Sequence, residues 1–318
     1  MIVTLNITSL IIRKIMNKDN SNIKTLLLGS FFASLSATLG GSTFVFTRYV
    51  VDSIDPFTLS FVRYGLTGFI LFLLSISVFI KKKFDRKDLI PMSFLGLSMI
   101  TLFPNFMALG LEYTTAARAG LLYATMPLCT IVIAYLFKIE EITLNKSLAV
   151  VIAITVVTFC MSEKVDSNFS QTLKGDFLMM TGVFAASCFT VFSGKYLKKY
   201  GNIPVMIYVI FIGTLINFSL SLSFGSIFKS FYQVNEFELA ALAMLIIPGG
   251  VIMMYCWGKA LQMITPTQAA ISLGFNPLSA ILLGAIILNE QITFKLIIGF
   301  LSIIIAIILV NWSTQKEN

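Results

Sequence analysis

Apolar residues in this chain gather into runs of roughly 17–25 positions separated by short polar gaps, the length one α-helix needs to cross a bilayer. Ten such runs are legible, at about 26–47, 56–80, 89–110, 115–137, 144–161, 176–194, 204–224, 238–260, 266–288 and 292–311. The fifth is the shortest. Gaps reach only about a dozen residues, so no separate soluble domain is expected. The pattern predicts an all-α integral membrane protein of ten transmembrane helices.

Composition agrees. Of 318 residues 57% are hydrophobic and 12% charged, where soluble domains carry about a quarter charged. The net charge of +8 raises nucleic acid as a partner, but its distribution points to topology. With a cytoplasmic N-terminus, 16 Lys and Arg fall on inside segments and 6 on outside ends and loops, and Arg63 lies within a span. This asymmetry predicts a multi-pass protein of the inner (plasma) membrane with both termini cytoplasmic. The block "KKKFDRKD" at 81–88 dominates the count and reads as a topology anchor. Cys129, Cys160, Cys188 and Cys256 all lie in apolar runs without CxxC spacing, which predicts reduced, buried thiols. Residues 1–12 lack the leading basic region of a signal peptide, since Arg13 and Lys14 follow the apolar stretch. Met16 opens "MNKDNSNIK", a conventional cytoplasmic lead and an alternative start; retention of Met1 on N-terminal sequencing would exclude it.

The signature Glu-x-Ile-Thr occurs twice, in "EEIT" at 140–143 and "LNEQIT" at 288–293. Shifting the chain by 150 positions lays 115–143 over 265–293 without a gap. Thr115/Thr265, Ala119/Ala269, Pro127/Pro277, Leu128/Leu278, Glu140/Glu290, Ile142/Ile292 and Thr143/Thr293 coincide. Keeping both a mid-span proline and a terminal glutamate at one offset is the informative part. The chain therefore divides into halves, 1–165 and 170–318, of five spans each. Five is odd, so the second half must enter the membrane inverted. Inverted repeats characterise secondary transporters, whose solute site lies near the midplane between the halves. On this reading Glu140 and Glu290 close equivalent gates on opposite faces, each also capping the helix that follows it.

The stretches "GGSTFVFTRYVVDSIDPFTLSFVRY" (40–64), "AARAGLLYATMPLCTIVIAYLFKIEEIT" (116–143) and "TPTQAAISLGFNPLSAILLGAIILNEQIT" (265–293) resemble the EamA-type transporters of the drug/metabolite superfamily, across essentially all of 26–311. The resemblance implies spans one to four and six to nine around a central cavity, with five and ten at the periphery. It also implies a small-metabolite cargo, with amino acids and their derivatives among the exported solutes. One departure stands out: many relatives carry Trp where this chain has Gly40 and Gly41.

Candidate residues follow from what lipid penalises. Arg63 lies seven residues past Pro56, roughly 10 Å into the second span; it reads as structural or gating. Arg118 and Lys259 lie near span mouths and read as snorkelling cations or as lures for an anionic group. Pro104, Pro127, Pro248 and Pro277 interrupt spans three, four, eight and nine, and the carbonyls they free need partners. Asn105 and Asn276 adjoin two of these prolines and either satisfy that backbone or face the solute. Tyr123, Tyr255 and Trp257 carry polar tips inside spans. The expected solute site is Asn105, Tyr123, Trp257 and Asn276, with Pro127 and Pro277 shaping it. Small residues at 37–42, 65–68 and 185–187 allow close helix contact.

The chain has no histidine, and no carboxylate lies near the middle of a span, so a midplane proton relay is missing. No P-loop appears. No cofactor or metal is expected; Asp52 and Asp55 could hold Mg²⁺ but read as a turn capped before Pro56. The reading is a non-ATP secondary transporter, not an enzyme, working by alternating access on a small solute. The solute favoured is an amino acid or derivative, exported, with the lipid bilayer as partner, no nucleic acid, and a monomer or homodimer as assembly. The alternatives are uptake or exchange of a nucleotide-like or methyl-donor metabolite, and a membrane-embedded enzyme.

Overall fold

The computed structural model describes residues 2–80, 82–139, 169–225, 234–264 and 272–302, with 147–148, 151–152, 155 and 304–305, and side chains from Thr25 onward except at 169–170 and 261–262. Eight helices follow in order: α1 Ile2–Val50, α2 Pro56–Ile80, α3 Arg86–Leu111, α4 Ala116–Leu136, α5 Phe169–Tyr200, α6 Asn202–Phe224, α7 Glu236–Ala260 and α8 Ser272–Ile287. Residues 294–302 are helical as well. Among the described residues seven helices are long and apolar enough to cross a membrane, and α8 is shorter. They correspond to predicted spans one to four and six to nine. The fifth span lies almost wholly outside the described residues and the tenth partly so.

Two helices differ from the hydropathy reading at their ends. Helix α1 begins at Ile2, and α5 outruns its apolar stretch at both ends, from Phe169 to Tyr200. Lys and Arg are good helix formers, so the charged residues at these ends continue the helix beyond the apolar run. Hydropathy marks where a helix meets lipid rather than where it starts.

Four of the prolines mark where helices depart from α geometry. Helix α3 widens into a π-turn over Leu97–Leu102, just ahead of Pro104. Helix α7 does the same over Ile247–Ile252, which contains Pro248. The two wide turns stand 150 residues apart, the offset of the sequence repeat. Proline has no N–H, so the carbonyl a turn earlier loses its donor and the backbone widens locally. Helix α4 is interrupted at Ala124 and Thr125 before Pro127, and α8 opens with a 3₁₀ turn, Ser272–Gly274, before Pro277.

Packing is reciprocal. Helix α1 lies against α7 and α8, and α5 against α3 and α4; α2 meets α7 as α6 meets α3; α2 pairs with α6 and α4 with α8. Exchanging each helix for its counterpart at the 150-residue shift returns these pairings, whereas the lesser contacts of α1 with α3 and α4, of α3 with α2 and α4, and of α5 with α6 have no counterpart of like extent. The contacts also fall at opposite ends. The end of α1 packs on the start of α7 through Val50, Ile54, Ala241 and Leu242, at the end that also carries Asp176. The end of α5 packs on the start of α3 through Tyr196, Tyr200, Met92 and Leu95, at the end carrying Asp85.

The core centres on Phe44, Phe103, Met107, Leu122 and Met179, while Leu74, Phe177, Phe224, Ile286 and Phe294 lie exposed on the perimeter. Such a rim would be a liability in water and is the expected surface in hydrocarbon. Gly41 lets α1 approach α8: a Cβ there would overlap Ser279 Oγ and the Asn276 carbonyl oxygen. Cys256 is buried, Cys129 and Cys188 are only half-buried, and Cys160 lies outside the described residues. The expectation of fully buried thiols is corrected for those two, whose helices turn them partly outward.

Candidate functional site

The polar groups at mid-depth cluster around the two π-turns. Asn217 Nδ2 donates to the Ile100 carbonyl at 2.9 Å, the acceptor that Pro104 leaves without its usual N–H. Asn105 Nδ2 donates to the Thr101 carbonyl at 2.8 Å and to Asn217 Oδ1 at 2.9 Å. Asn105 therefore serves the kink. On the other half, Thr67 Oγ1 donates to the Ile246 carbonyl and Arg63 Nη2 to the Gly249 carbonyl, both at 3.3 Å. Thr67 and Asn217 are themselves 150 apart. Each half thus lends a polar side chain from its second helix to the wide turn of the other half, which satisfies backbone that lipid cannot. Sequence reasoning missed Asn217 and Thr67, and no sequence signal marks them, since Thr lies over Asn at the 150-residue shift and the residues on either side differ as well.

The four expected solute residues do not all meet. Tyr123 sits between Phe44 and Phe103, with ring centroids at 5.5 and 5.4 Å. Asn276 is buried, and a Cβ at Gly40 would meet its Oδ1. Trp257 packs in a separate cluster with Ala33, Ala260 and Ile264. Phe275 is exposed. A cavity of about 70 Å³ opens elsewhere, between α2, α6 and α7 toward the Asp85 end. Tyr255, Lys259, Asn202 and Ser75 line it, and α2 loses helical geometry at Ser75 (φ −129°, ψ 16°).

Arg118 is neither a snorkelling cation nor an open lure. It is 2% exposed, and its Nε lies 2.9 Å from both oxygens of Asp176, which is fully buried. Its Nη2 also bonds Asp176 Oδ2, and Thr114 Oγ1 donates to Oδ1 at 3.1 Å. The pair ties α4 to α5, 58 residues apart, so hydropathy could not reveal it. Glu290 also departs from expectation. Its carboxylate accepts from the backbone N–H groups of Ala116 at 2.8 Å and Ala117 at 3.0 Å, so it caps α4 across the interface. The helix after it is capped by Thr293, whose Oγ1 accepts from Leu296 N–H. A carboxylate at those amides faces the positive end of a helix dipole, which outcompetes the local position. Glu140 lies outside the described residues.

The Asp85 end carries an ionic cluster. Lys199 Nζ bonds Asp85 and lies 2.7 Å from Asp88, and Tyr200 donates to Asp88 at 2.6 Å. The Lys199 hydrogen bond holds the Asp85 carboxyl below its usual range. At the Asp176 end the counterpart is Ser53 bonded to Glu238, which also closes a capping box with Asn235. Asp85/Asn235 and Asp88/Glu238 again stand 150 apart. Burial raises the Glu112 carboxyl nearby. Asp55 caps Thr58 N–H at 2.9 Å and Asp52 pairs with Arg48 at 3.1 Å, so these two are turn residues. No group of metal-ligating side chains occurs among the described residues.

A multi-pass helical membrane protein with broken inner helices and polar groups held at mid-depth has the build of a small-solute transporter. Comparison with known proteins agrees: the chain belongs to the EamA-like transporter family, whose pattern it matches twice, at 27–162 and 173–312. An uncharacterized transporter of Archaeoglobus fulgidus is 30% identical over 301 residues, covering 93% of this chain and 99% of that one. The uncharacterized transporter YcxC of Bacillus subtilis is 22% identical, covering 90% and 93%. A WAT1-related protein of Arabidopsis thaliana is 23% identical, covering 67% and 71%. One solved crystal structure shares the fold with a TM-score of 0.64 at 15% identity, covering 93% of this chain and 99% of that one. The chain is a transporter, not an enzyme.

Proposed function

We propose that the protein is a ten-helix secondary transporter built from two inverted five-helix halves, 1–165 and 170–318, that moves an amino acid or derivative by alternating access, with export favoured. The observation that carries this reading is the exchange symmetry: reciprocal helix neighbours, wide turns at a 150-residue offset, and matching contacts at opposite ends. Two equivalent halves placed opposite ways up give similar closures on the two faces. The π-turns supply places where the inner helices can bend without exposing backbone to lipid. Aromatic walls with few charges suit a small zwitterionic or amphipathic solute better than a phosphate ester, which calls for clustered Arg and Lys. The solute residues proposed are Asn276 and Tyr123, with Asn105 buttressing the kink and Trp257 on the adjoining α1–α7 face.

Counterflow in proteoliposomes tests the reading: radiolabelled amino acid should accumulate against an unlabelled internal pool without ATP. If no solute of a broad metabolite panel exchanges, transport by this mechanism is excluded. Glu290→Gln and Glu140→Gln should each slow exchange while leaving folded protein in the membrane, since the charge Glu290 places on the start of α4 is worth about 0.3–1 kcal/mol and Glu140 stands at the equivalent position of the repeat. One silent and one inactive variant would break the equivalence of the halves.

The Lys/Arg asymmetry supports an inner-membrane placement with the Asp85 end and both termini cytoplasmic. On a cysteine-free background, Lys174→Cys should label from outside in intact cells and Lys83→Cys only after permeabilisation; both side chains are exposed. The reverse labelling would invert the topology.

A further inference from the structure

The cavity of about 70 Å³ between α2, α6 and α7 is lined by polar groups that have nothing to bond. Ser75, Asn202, Tyr255 and Lys259 all border it, and none has a hydrogen-bond or ion-pair partner among the described residues. Asn202 Oδ1 is buried as well as unpartnered. Lys259 has the Tyr255 ring, centred 5.9 Å from Nζ, as its neighbour. No Asp or Glu occurs among the described residues of the lining. Lys199, at the same end of the molecule, is by contrast held by Asp85 and Asp88.

The position and size of the cavity narrow what it can hold. The first turn of α6 has no side-chain cap, so free amides and the positive end of its dipole stand beside Asn202 and Ile203 in the lining. One ammonium and one helix start therefore share a wall that is otherwise apolar, with Leu71, Met206 and Met254. One cation matches the single negative charge of a phosphate diester. A phosphate monoester, with about −1.5 to −2, calls for clustered Arg or Lys. A cavity of this volume holds roughly five waters at ~10–15 Å³ each, room for a phosphate group but none for an acyl chain. Above the cavity Thr67 ties α2 to the Ile246 carbonyl of α7; below it α2 loses helical geometry at Ser75. The lining comes from the last turns of α2 and α7 and the first turn of α6. In a membrane-spanning chain that is the level of the lipid headgroups, where Lys and Tyr place their polar tips.

We propose that this cavity binds a singly charged phosphate diester, supplied by an anionic phospholipid of the leaflet at the Asp85 end. Lys259 and the start of α6 hold the phosphate, Ser75 and Tyr255 donate hydroxyls to it, and the acyl chains lie outside against exposed residues such as Leu74. Helix α2 belongs to the first match to the family pattern and α6 and α7 to the second, so the bound lipid bridges the two repeats.

Native mass spectrometry of the purified full chain, titrated with phosphatidylglycerol and with phosphatidylcholine, is the test. Wild type should retain phosphatidylglycerol about 5-fold better, the weight of one basic residue against an anionic lipid. Lys259→Gln should bring that ratio to near one and Lys259→Arg should keep it. Lys195→Gln is the control, since Lys195 is an exposed lysine of α5 at the same end, outside the cavity. It should leave the ratio unchanged. Ser75→Leu, which fills the cavity without altering charge, should abolish the preference. Equal retention of the two lipids by wild type overturns the proposal, as do equal losses in Lys259→Gln and Lys195→Gln. Should Lys259→Gln fail to fold, the wild-type pair of lipids and Ser75→Leu still decide. Glycerophosphoglycerol, the same headgroup without acyl chains, identifies the source. Its failure to displace the lipid in large excess supports a membrane ligand; displacement assigns the cavity to a soluble phosphate diester and overturns the lipid. The readout is lipid retention, so the transporter reading stands under either result.

Discussion

Asp176→Asn should be among the most damaging conservative changes in this protein, costing about 3–5 kcal/mol because it strands Arg118 as a buried, uncompensated cation. The side chain keeps its shape and one oxygen that can accept from Thr114 and Arg118 Nε, but it loses the negative charge and turns the second acceptor, which meets Arg118 Nη2, into a donor. Removing both charges is the informative control. Arg118→Met with Asp176→Leu discards the desolvation cost of each ion together with their attraction, and should recover most of the loss. Thermal unfolding of the detergent-solubilised protein and its level in the membrane provide the readouts. If Asp176→Asn unfolds with wild type, to within about 1 kcal/mol, the pair does not hold α4 to α5.

Gly41→Ala should also sharply reduce the yield of folded protein. The added methyl would meet the Asn276 backbone carbonyl and Ser279 Oγ, and backbone cannot swing away as a flexible side chain can. Overpacking of this kind costs about 1–3 kcal/mol or more. Gly194→Ala is the matched control, since nothing lies within 4 Å of a Cβ built there. It should stay within about 1 kcal/mol of wild type, on the stabilising side, because alanine favours the helix. Similar unfolding of the two variants would refute the close α1–α8 approach. The same geometry leaves no room for a larger side chain at Gly40, where a Cβ would lie 2.6 Å from Asn276 Oδ1.

The sequence by itself determined the class of molecule and where its inner helices break. Lipid demands long apolar runs, so hydropathy reported the spans. Proline cannot donate, so Pro104, Pro127, Pro248 and Pro277 announced the interruptions, two of them as π-turns. The paired prolines and glutamates gave the 150-residue offset, and the cap at Asp55 was readable because it is local. What hydropathy leaves open is how each helix is rotated about its axis, which is set by packing against neighbours. That rotation put Asp176 on Arg118, swung Glu290 onto the start of α4, paired Asn105 with Asn217, and left Trp257 in a different cluster from Tyr123. It also left Arg63 buried against a carbonyl and a ring. Partners 58 to 186 residues apart meet only after the helices pack, and a side chain's role in lipid depends on which partner it meets.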